Sequence, residues 1–263
     1  MDLGLKGKVA LVAAASKGLG RAVAEELAAE GASLVICARG DKALQEARAA
    51  FETTYGVPVL ALAADVANPA DVARVVQAAQ ERFGRIDILV TNTGGPPAGT
   101  FDTLSAEQWQ AATQLLLTSV VELTRAVLPG MKARGWGRIL NITSISVKQP
   151  VENLMLSNSL RAAVTGMART LATEVAAQGI TVNNILPGYT RTERVVGLAD
   201  ATAAKEGISA ADATARWESQ IPMRRLGEPR EFAALAAFLC SERASYITGT
   251  SVPVDGGWIR GLF

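Results

Sequence analysis

The chain has 263 residues, 49% of them hydrophobic, with 26 Lys and Arg against 25 Asp and Glu and no histidine. That length suits one well-buried α/β domain without forcing a second, and a net charge of +1 offers no bulk field for nucleic acid or an anionic membrane. Without histidine a Ser-His-Asp hydrolase, a histidine general base and His-rich metal sites are excluded, so any chemistry falls to hydroxyls, Lys, Arg, carboxylates or a cofactor.

No apolar run approaches the length of a membrane span, and residues 1–6 lack the series of a signal peptide. Cys37 and Cys240 lie far apart and read as buried thiols, which fits a reducing cytoplasm.

A first apolar strand at residues 9–13 stops at the turn Ala14-Ala15-Ser16-Lys17-Gly18-Leu19-Gly20, and a helical pattern with Val23 and Leu27 on one face follows. Strand, tight turn and helix N-terminus together make a cradle for a dinucleotide pyrophosphate, and Gly18 and Gly20 let backbone approach the phosphates. On its own the turn fits a plain strand-to-helix connection equally well. Further strands are expected at 33–38, 57–63, 86–91, 138–143, 180–186 and 250–254. Helices are expected at 41–55, 68–83, 105–131, 153–177 and 229–241. This alternation predicts a single-domain Rossmann fold over residues 1–263, a doubly wound α/β structure with a parallel seven-stranded sheet. Residues 189–220 show little apolar periodicity and read as an irregular segment. Its part at about 191–221 is expected to be a substrate lid, with Val195, Val196, Leu198 and Trp217 toward an apolar pocket.

Several short motifs follow in order. They are the opening turn, Asp65-Val66, Thr91-Asn92-Thr93-Gly94, Asn141-Ile142-Thr143-Ser144 and Pro187-Gly188 through Thr192. Near the end come residues 221–229 (IPMRRLGEP), Tyr246-Ile247-Thr248-Gly249 and Val254-Asp255-Gly256-Gly257. Over essentially the whole chain this series resembles the short-chain dehydrogenase/reductase family. The C-terminal motifs look most like its β-ketoacyl-(acyl-carrier-protein) reductases. The resemblance implies cofactor contacts from Ser16, Lys17, Gly18, Leu19, Gly20, Asp65, Val66, Asn92, Gly94, Pro187, Gly188 and Thr192, and a homotetramer. The apolar tail, residues 258–263, is expected to be buried against a neighbouring subunit.

Charge predicts which dinucleotide binds. An NAD site wants a carboxylate at the end of the second strand, where this chain has Ala38 followed by Arg39. With Lys17 in the turn, two cations and no carboxylate suit the 2′-phosphate of NADP. Solvated surface charges would look the same in sequence.

The catalytic groups depart from the pattern. In the family a Tyr passes a proton, a Lys four residues on holds the nicotinamide ribose and lowers the Tyr pKa, a Ser orients the carbonyl, and an Asn supports the relay. Ser144 matches the serine. Ser157 stands where the Tyr belongs, Arg161 at the Lys and Leu116 at the Asn. A serine hydroxyl is a much poorer proton donor than a tunable phenol, and its oxygen falls short of a Tyr oxygen by roughly 4 Å, a gap a water can fill. Arg161 can hold ribose hydroxyls or an anionic substrate group. Tyr189 and Lys148 are other candidate proton donors, whereas Tyr55 and Tyr246 are poorly placed.

Two readings remain. One is an NADP-dependent oxidoreductase on a carbonyl/alcohol pair, including a 3-oxoacyl thioester, with a relay of Ser144, Ser157, a water and Arg161. The other is a non-catalytic NADP-binding sensor or partner subunit. Lyase or dehydratase chemistry stays open. No metal, nucleic-acid or membrane site is expected.

Overall fold

Every residue of Val9–Ala13 (β1) is buried, as a strand covered by helices on both faces requires. The chain, a computed structural model that describes residues 2–262, alternates from there. Helix Gly18–Ala29 (α1) leads to Ser33–Ala38 (β2), Asp41–Tyr55 (α2) to Val59–Ala63 (β3), and Pro69–Phe83 (α3) to Ile88–Thr91 (β4). Then come Ala106–Thr113 (α4), Ser119–Arg134 (α5), Gly137–Ile142 (β5), Met155–Val175 (α6) and Ile180–Pro187 (β6). Glu193–Glu206 (α7), Ala210–Gln220 (α8), Pro229–Leu239 (α9) and Ser251–Val254 (β7) complete it.

The seven strands pair in the order β3-β2-β1-β4-β5-β6-β7, all parallel. The order reverses between β1 and β4, where Val12 lies beside Val90. In an open α/β sheet the crevice for a ligand forms at that reversal, beyond the carboxyl ends of the strands. One apolar layer joins Val23 and Leu27 of α1, Leu44 and Phe51 of α2, and Phe232 of α9 to one face of the sheet. The opposite layer uses Val72 and Val75 of α3, Leu123 and Val127 of α5, and Ala168 and Ala172 of α6.

Three expectations need correction. Residues 189–220 are not irregular: they contain α7 and α8. Their stability comes from caps rather than apolar periodicity. Thr192 accepts from the Val195 N–H, Gly207 closes α7 at φ +67°, and Ser209 and Asp212 form a capping box. The helix expected at 105–131 is α4 and α5, joined by a π-helical turn at Gln114–Thr118. That turn holds Leu116, which the resemblance sets at an asparagine position, and π turns concentrate at functional sites. The joined helix, Ala106–Arg134, also has the length and apolar composition to cross a membrane, contrary to the expectation of no such run. Leu116, Leu123, Val127 and Met131 pack into the core, which accounts for its apolar character.

The tail is covered in part by its own chain. Trp258 lies edge-on to Tyr189, ring centres 6.4 Å apart, and the Ile259 N–H donates to Asp255 at 2.8 Å. Leu262 is exposed, and Phe263 lies outside the described residues.

Candidate functional site

The site begins with the backbone that ends β1. Gly18 sits at φ +57°, in the left-handed region, and opens α1. A Cβ on Gly20 would lie 2.8 Å from Asn92 Nδ2 and 3.0 Å from the Ala14 carbonyl carbon, so only glycine lets α1 sit this close to β1 and β4. The N-terminus of α1 has no side-chain cap and no acidic residue in its first turn. Its N–H groups and dipole are therefore available to an anion.

Around this turn lies an open cavity of about 640 Å³. Ser16, Lys17, Gly18 and Leu19 form one wall, and Ala38 and Arg39 continue it from the end of β2. Asp65 and Val66 come from the end of β3, Asn92 and Gly94 from the end of β4, and Thr192 from the start of α7. Residues spread over nearly two hundred positions are gathered because the parallel strands all end at this edge. Of the expected cofactor residues, Gly20 lies just beneath the cavity as packing. Pro187 and Gly188 do not line it, and a Cβ on Gly188 would press on Asp255 Cα at 2.7 Å.

Lys17 and Arg39 both line this cavity, and both are exposed. Lys17 Nζ holds Glu193 Oε2 at 2.8 Å, a bond across the mouth from the turn to α7. Asp65 Oδ1 accepts from the Ala67 N–H at 3.0 Å, and the Asp71 carboxylate accepts from the Asp65 N–H at 2.8 Å. These bonds fix the loop after β3. Cys37 also lines the cavity, but burial pushes its thiol up to about 12, which leaves it a thiol rather than a nucleophile.

Beside Asn92 and Thr93, a small pocket of about 10 Å³ holds room for one water. Thr91 and Asn141 line it and begin a row of side-chain hydrogen bonds across the sheet. Thr91 Oγ1 donates to Asn141 Oδ1 at 2.7 Å, Asn141 Nδ2 to Asn184 Oδ1 at 3.1 Å, and Asn184 Nδ2 to Ser251 Oγ at 3.0 Å. Thr143 Oγ1 lines the same pocket, is buried and has no partner, so it offers a free donor and acceptor to whatever enters. Arg161 enters this pocket from α6. Its Nη1 donates to the Ile142 carbonyl at 3.0 Å, and burial, then the nearby charge of Arg194, push its guanidinium down to about 10.

The expected relay is only partly assembled. Ser144 Oγ accepts from the Ser146 N–H at 3.1 Å and caps the turn after β5. Ser157 is buried on α6, and among the described residues it shares no hydrogen bond with Ser144 or Arg161. Both serines lie outside the two cavities that hold Arg161 and the turn. The other candidate donors fare worse. Tyr189 stacks on Trp217 of α8, ring centres 5.1 Å apart, and burial raises its pKa, the wrong direction for an acid. Tyr55 donates to Glu25 Oε1 at 3.1 Å, while Tyr246 and Lys148 are exposed. Trp217 packs against Tyr189, and Val196 and Leu198 are exposed.

Sequence reasoning missed Arg194. It lines the large cavity, and its guanidinium occupies the space a Cβ on Gly95 would fill. The signal was there: it stands two residues after Thr192, opposite the glycine pair after Asn92.

A family model described as enoyl-(acyl carrier protein) reductase matches residues 13–259. The 3-oxoacyl-(acyl-carrier-protein) reductase FabG of Vibrio cholerae is 36% identical over 255 residues, covering 97% of this chain and 98% of that protein. The D-beta-hydroxybutyrate dehydrogenase of Cupriavidus necator is 35% identical, covering 97% and 99%. Among solved structures, L-sorbose reductase from Gluconobacter frateurii, complexed with NADPH and L-sorbose, superposes with a TM-score of 0.96. It is 38% identical, and 100% of each chain is covered.

Proposed function

This chain belongs to the short-chain dehydrogenase/reductase family, and from that premise we propose that it is an NADP-dependent oxidoreductase acting on a carbonyl/alcohol pair. The observation that carries the reading is the large cavity at the sheet's reversal point, with Lys17 and Arg39 at its mouth and Ala38 where an NAD site wants a carboxylate. The residues fit the cofactor on structural grounds: the uncapped α1 N-terminus suits a pyrophosphate, and Gly20 keeps α1 close to the sheet. A related reductase is complexed with NADPH in the same fold. Bound reduced NADP supplies the hydride.

The chain's own residues have three tasks. Lys17 and Arg39 neutralise the 2′-phosphate, which requires Lys17 to exchange Glu193 for phosphate oxygens. Helices α7 and α8, within residues 191–221, act as a lid over the substrate and keep water from the reacting carbonyl. Ser144 orients that carbonyl, and Ser157 passes it a proton through one water, refilled from solvent. Arg161 stays charged at neutral pH and holds ribose hydroxyls or a substrate anion. A 3-oxoacyl thioester is one substrate this arrangement admits, and the family likeness supports a homotetramer, which light scattering tests.

Titration calorimetry and NADPH oxidation test the core reading. NADPH is expected to bind at least tenfold more tightly than NADH, and a panel of ketones and 3-oxoacyl thioesters to yield oxidation above background. NADPH binding with no oxidation across the panel would favour a second reading, a non-catalytic NADP-binding sensor or partner subunit. What favours that reading is specific: Arg161 is committed to the Ile142 carbonyl and Ser144 to the Ser146 N–H. Failure of NADPH to bind would sink both.

A further inference from the structure

Lys17, Arg39 and Arg194 are the cations that line the large cavity, against the carboxylates of Asp65 and Glu193. Lys17 and Glu193 hold one another, and Asp65 accepts from the Ala67 N–H. Lys17 and Arg39 have a task in the reading above, at the 2′-phosphate. Arg194 has none, and among the described residues its guanidinium forms no ion pair or hydrogen bond. Helix stability does not account for it either. Arg194 is the second residue of α7, and a cation in a first turn faces the positive end of the helix dipole.

The sheet order sets what this guanidinium can reach. Arg39 follows β2 and Gly95 follows β4, on opposite sides of β1 and its turn. Arg194 fills the space that a Cβ on Gly95 would occupy, so its charge lies on the β4 side, across the turn from Arg39. The start of α7 also comes up against that turn. A Cβ on Gly18 would lie 3.8 Å from Thr192 Cβ, and Lys17 Nζ meets Glu193 Oε2 at 2.8 Å. The uncapped α1 N-terminus offers N–H dipoles there but no full positive charge.

We infer that Arg194 is a cofactor-binding residue that grips, from the lid helix, the pyrophosphate common to both dinucleotides, whereas Lys17 and Arg39 read only the 2′-phosphate. A planar guanidinium holds phosphate oxygens through paired N–H bonds, so α7 brings to the cradle the charge that its glycine-rich turn lacks. This inference rests on the dinucleotide reading of the large cavity, and the test keeps the two apart.

Arg194→Gln, which keeps a polar side chain without the charge, is titrated calorimetrically with NADPH and with NADH. Both affinities are expected to fall about tenfold or more, with the ratio between them within about twofold of the parent's. The Tm of the ligand-free variant should stay within about 2 °C of the parent or rise, because a first-turn cation gains nothing from its helix. A smaller fall in either affinity, or a ratio moved further, overturns the inference; a changed ratio would assign Arg194 to the 2′-phosphate beside Arg39. A larger drop in Tm accompanying the same losses also overturns it, since Arg194 would then act by holding the lid in place. If the parent binds neither dinucleotide, the dinucleotide reading falls, and inorganic pyrophosphate titrated into the free protein decides the subsite alone. Pyrophosphate binding weakened about tenfold or more by Arg194→Gln upholds it, and any other result ends it.

Discussion

The outer and inner halves of the cleft are built to different standards. Around the α1 turn, five separate segments converge on one cavity, with glycine where side chains would intrude and cations where a phosphate would lie. Inward of Asn92, the expected relay is not assembled. Ser144 caps a turn, Ser157 has no polar partner among those described, and Leu116 packs in a small apolar cluster with Leu156 and Leu160. Binding and proton transfer are separable properties of one scaffold: the first needs backbone shape and fixed charge, the second a hydroxyl of suitable pKa at one position. On the proposed reading, this chain keeps the shape and changes the hydroxyl.

The largest effect comes from attacking the intact half. Gly20→Val puts branched carbon where Asn92 Nδ2 and the Ala14 carbonyl already lie, so α1 must move off the sheet. NADPH binding, followed by cofactor fluorescence, is expected to fall beyond about 100-fold, with a clear drop in Tm. Binding within threefold of the parent would mean that the cradle does not depend on this approach.

Repairing the other half gives the next effect. Ser157→Tyr with Arg161→Lys restores the usual acid and its neighbour, and general acid catalysis is worth about 10²–10⁴-fold. A gain of that order in kcat with unchanged NADPH affinity would confine the deficit to the proton donor. No gain, in a variant that still binds NADPH, would put it in the positioning of Ser144 or in the Leu116 region.

The two halves were also unequally legible in the sequence. The sheet and the cavity lining are local matters, because apolar runs stop at the same edge and each stop brings its own Asp65, Asn92 or Thr192. Strand ends differed by about two residues, Val59 and Ile88 starting later than the apolar runs suggest. The lid was misjudged because α7 and α8 hold few buried residues, Ala199 and Ala213. Hydrophobic period is silent for such helices, and only the caps at Thr192 and Ser209 spoke. The inner geometry was not legible at all. Whether Ser144 meets Ser157, or Arg161 meets Ile142, depends on rotamers and packing across α6 and β5, which no spacing encodes.

Cofactor choice sharpens the contrast more gently. Lys17→Ala with Arg39→Ala removes both cations, and charge-assisted contacts of this kind are worth about 10–100-fold in affinity. NADPH binding should weaken by that factor and NADH binding hardly at all. Glu193→Gln should act oppositely, strengthening NADPH binding severalfold, because Lys17 then has no carboxylate to leave. Equal losses for NADPH and NADH in the double variant would remove the 2′-phosphate from the argument.

The smallest effect lies outside both halves, where the segment after α8 is pinned to α9. Arg225 grips the Glu231 carboxylate through two N–H bonds of 2.7 and 2.6 Å, and the Glu228 N–H adds a third at 2.8 Å. Together they hold Glu231 down to about 2, against an ordinary value of 4.5. A carboxylate whose pKa is lower folded than unfolded stabilises fully above pH 4.5 and loses that contribution as pH falls through about 2. The pair is exposed, so solvent screens it and the expected Tm difference between the parent and Glu231→Gln is about 2 °C or less at pH 7. That difference should shrink below pH 4.5 and vanish near pH 2, with NADPH affinity at pH 7 unaltered throughout. A difference that persists at pH 2 would mean that Glu231 acts through the α9 cap geometry and not its charge, whereas a fall in NADPH affinity at pH 7 would tie the lid's anchor to the outer half of the cleft.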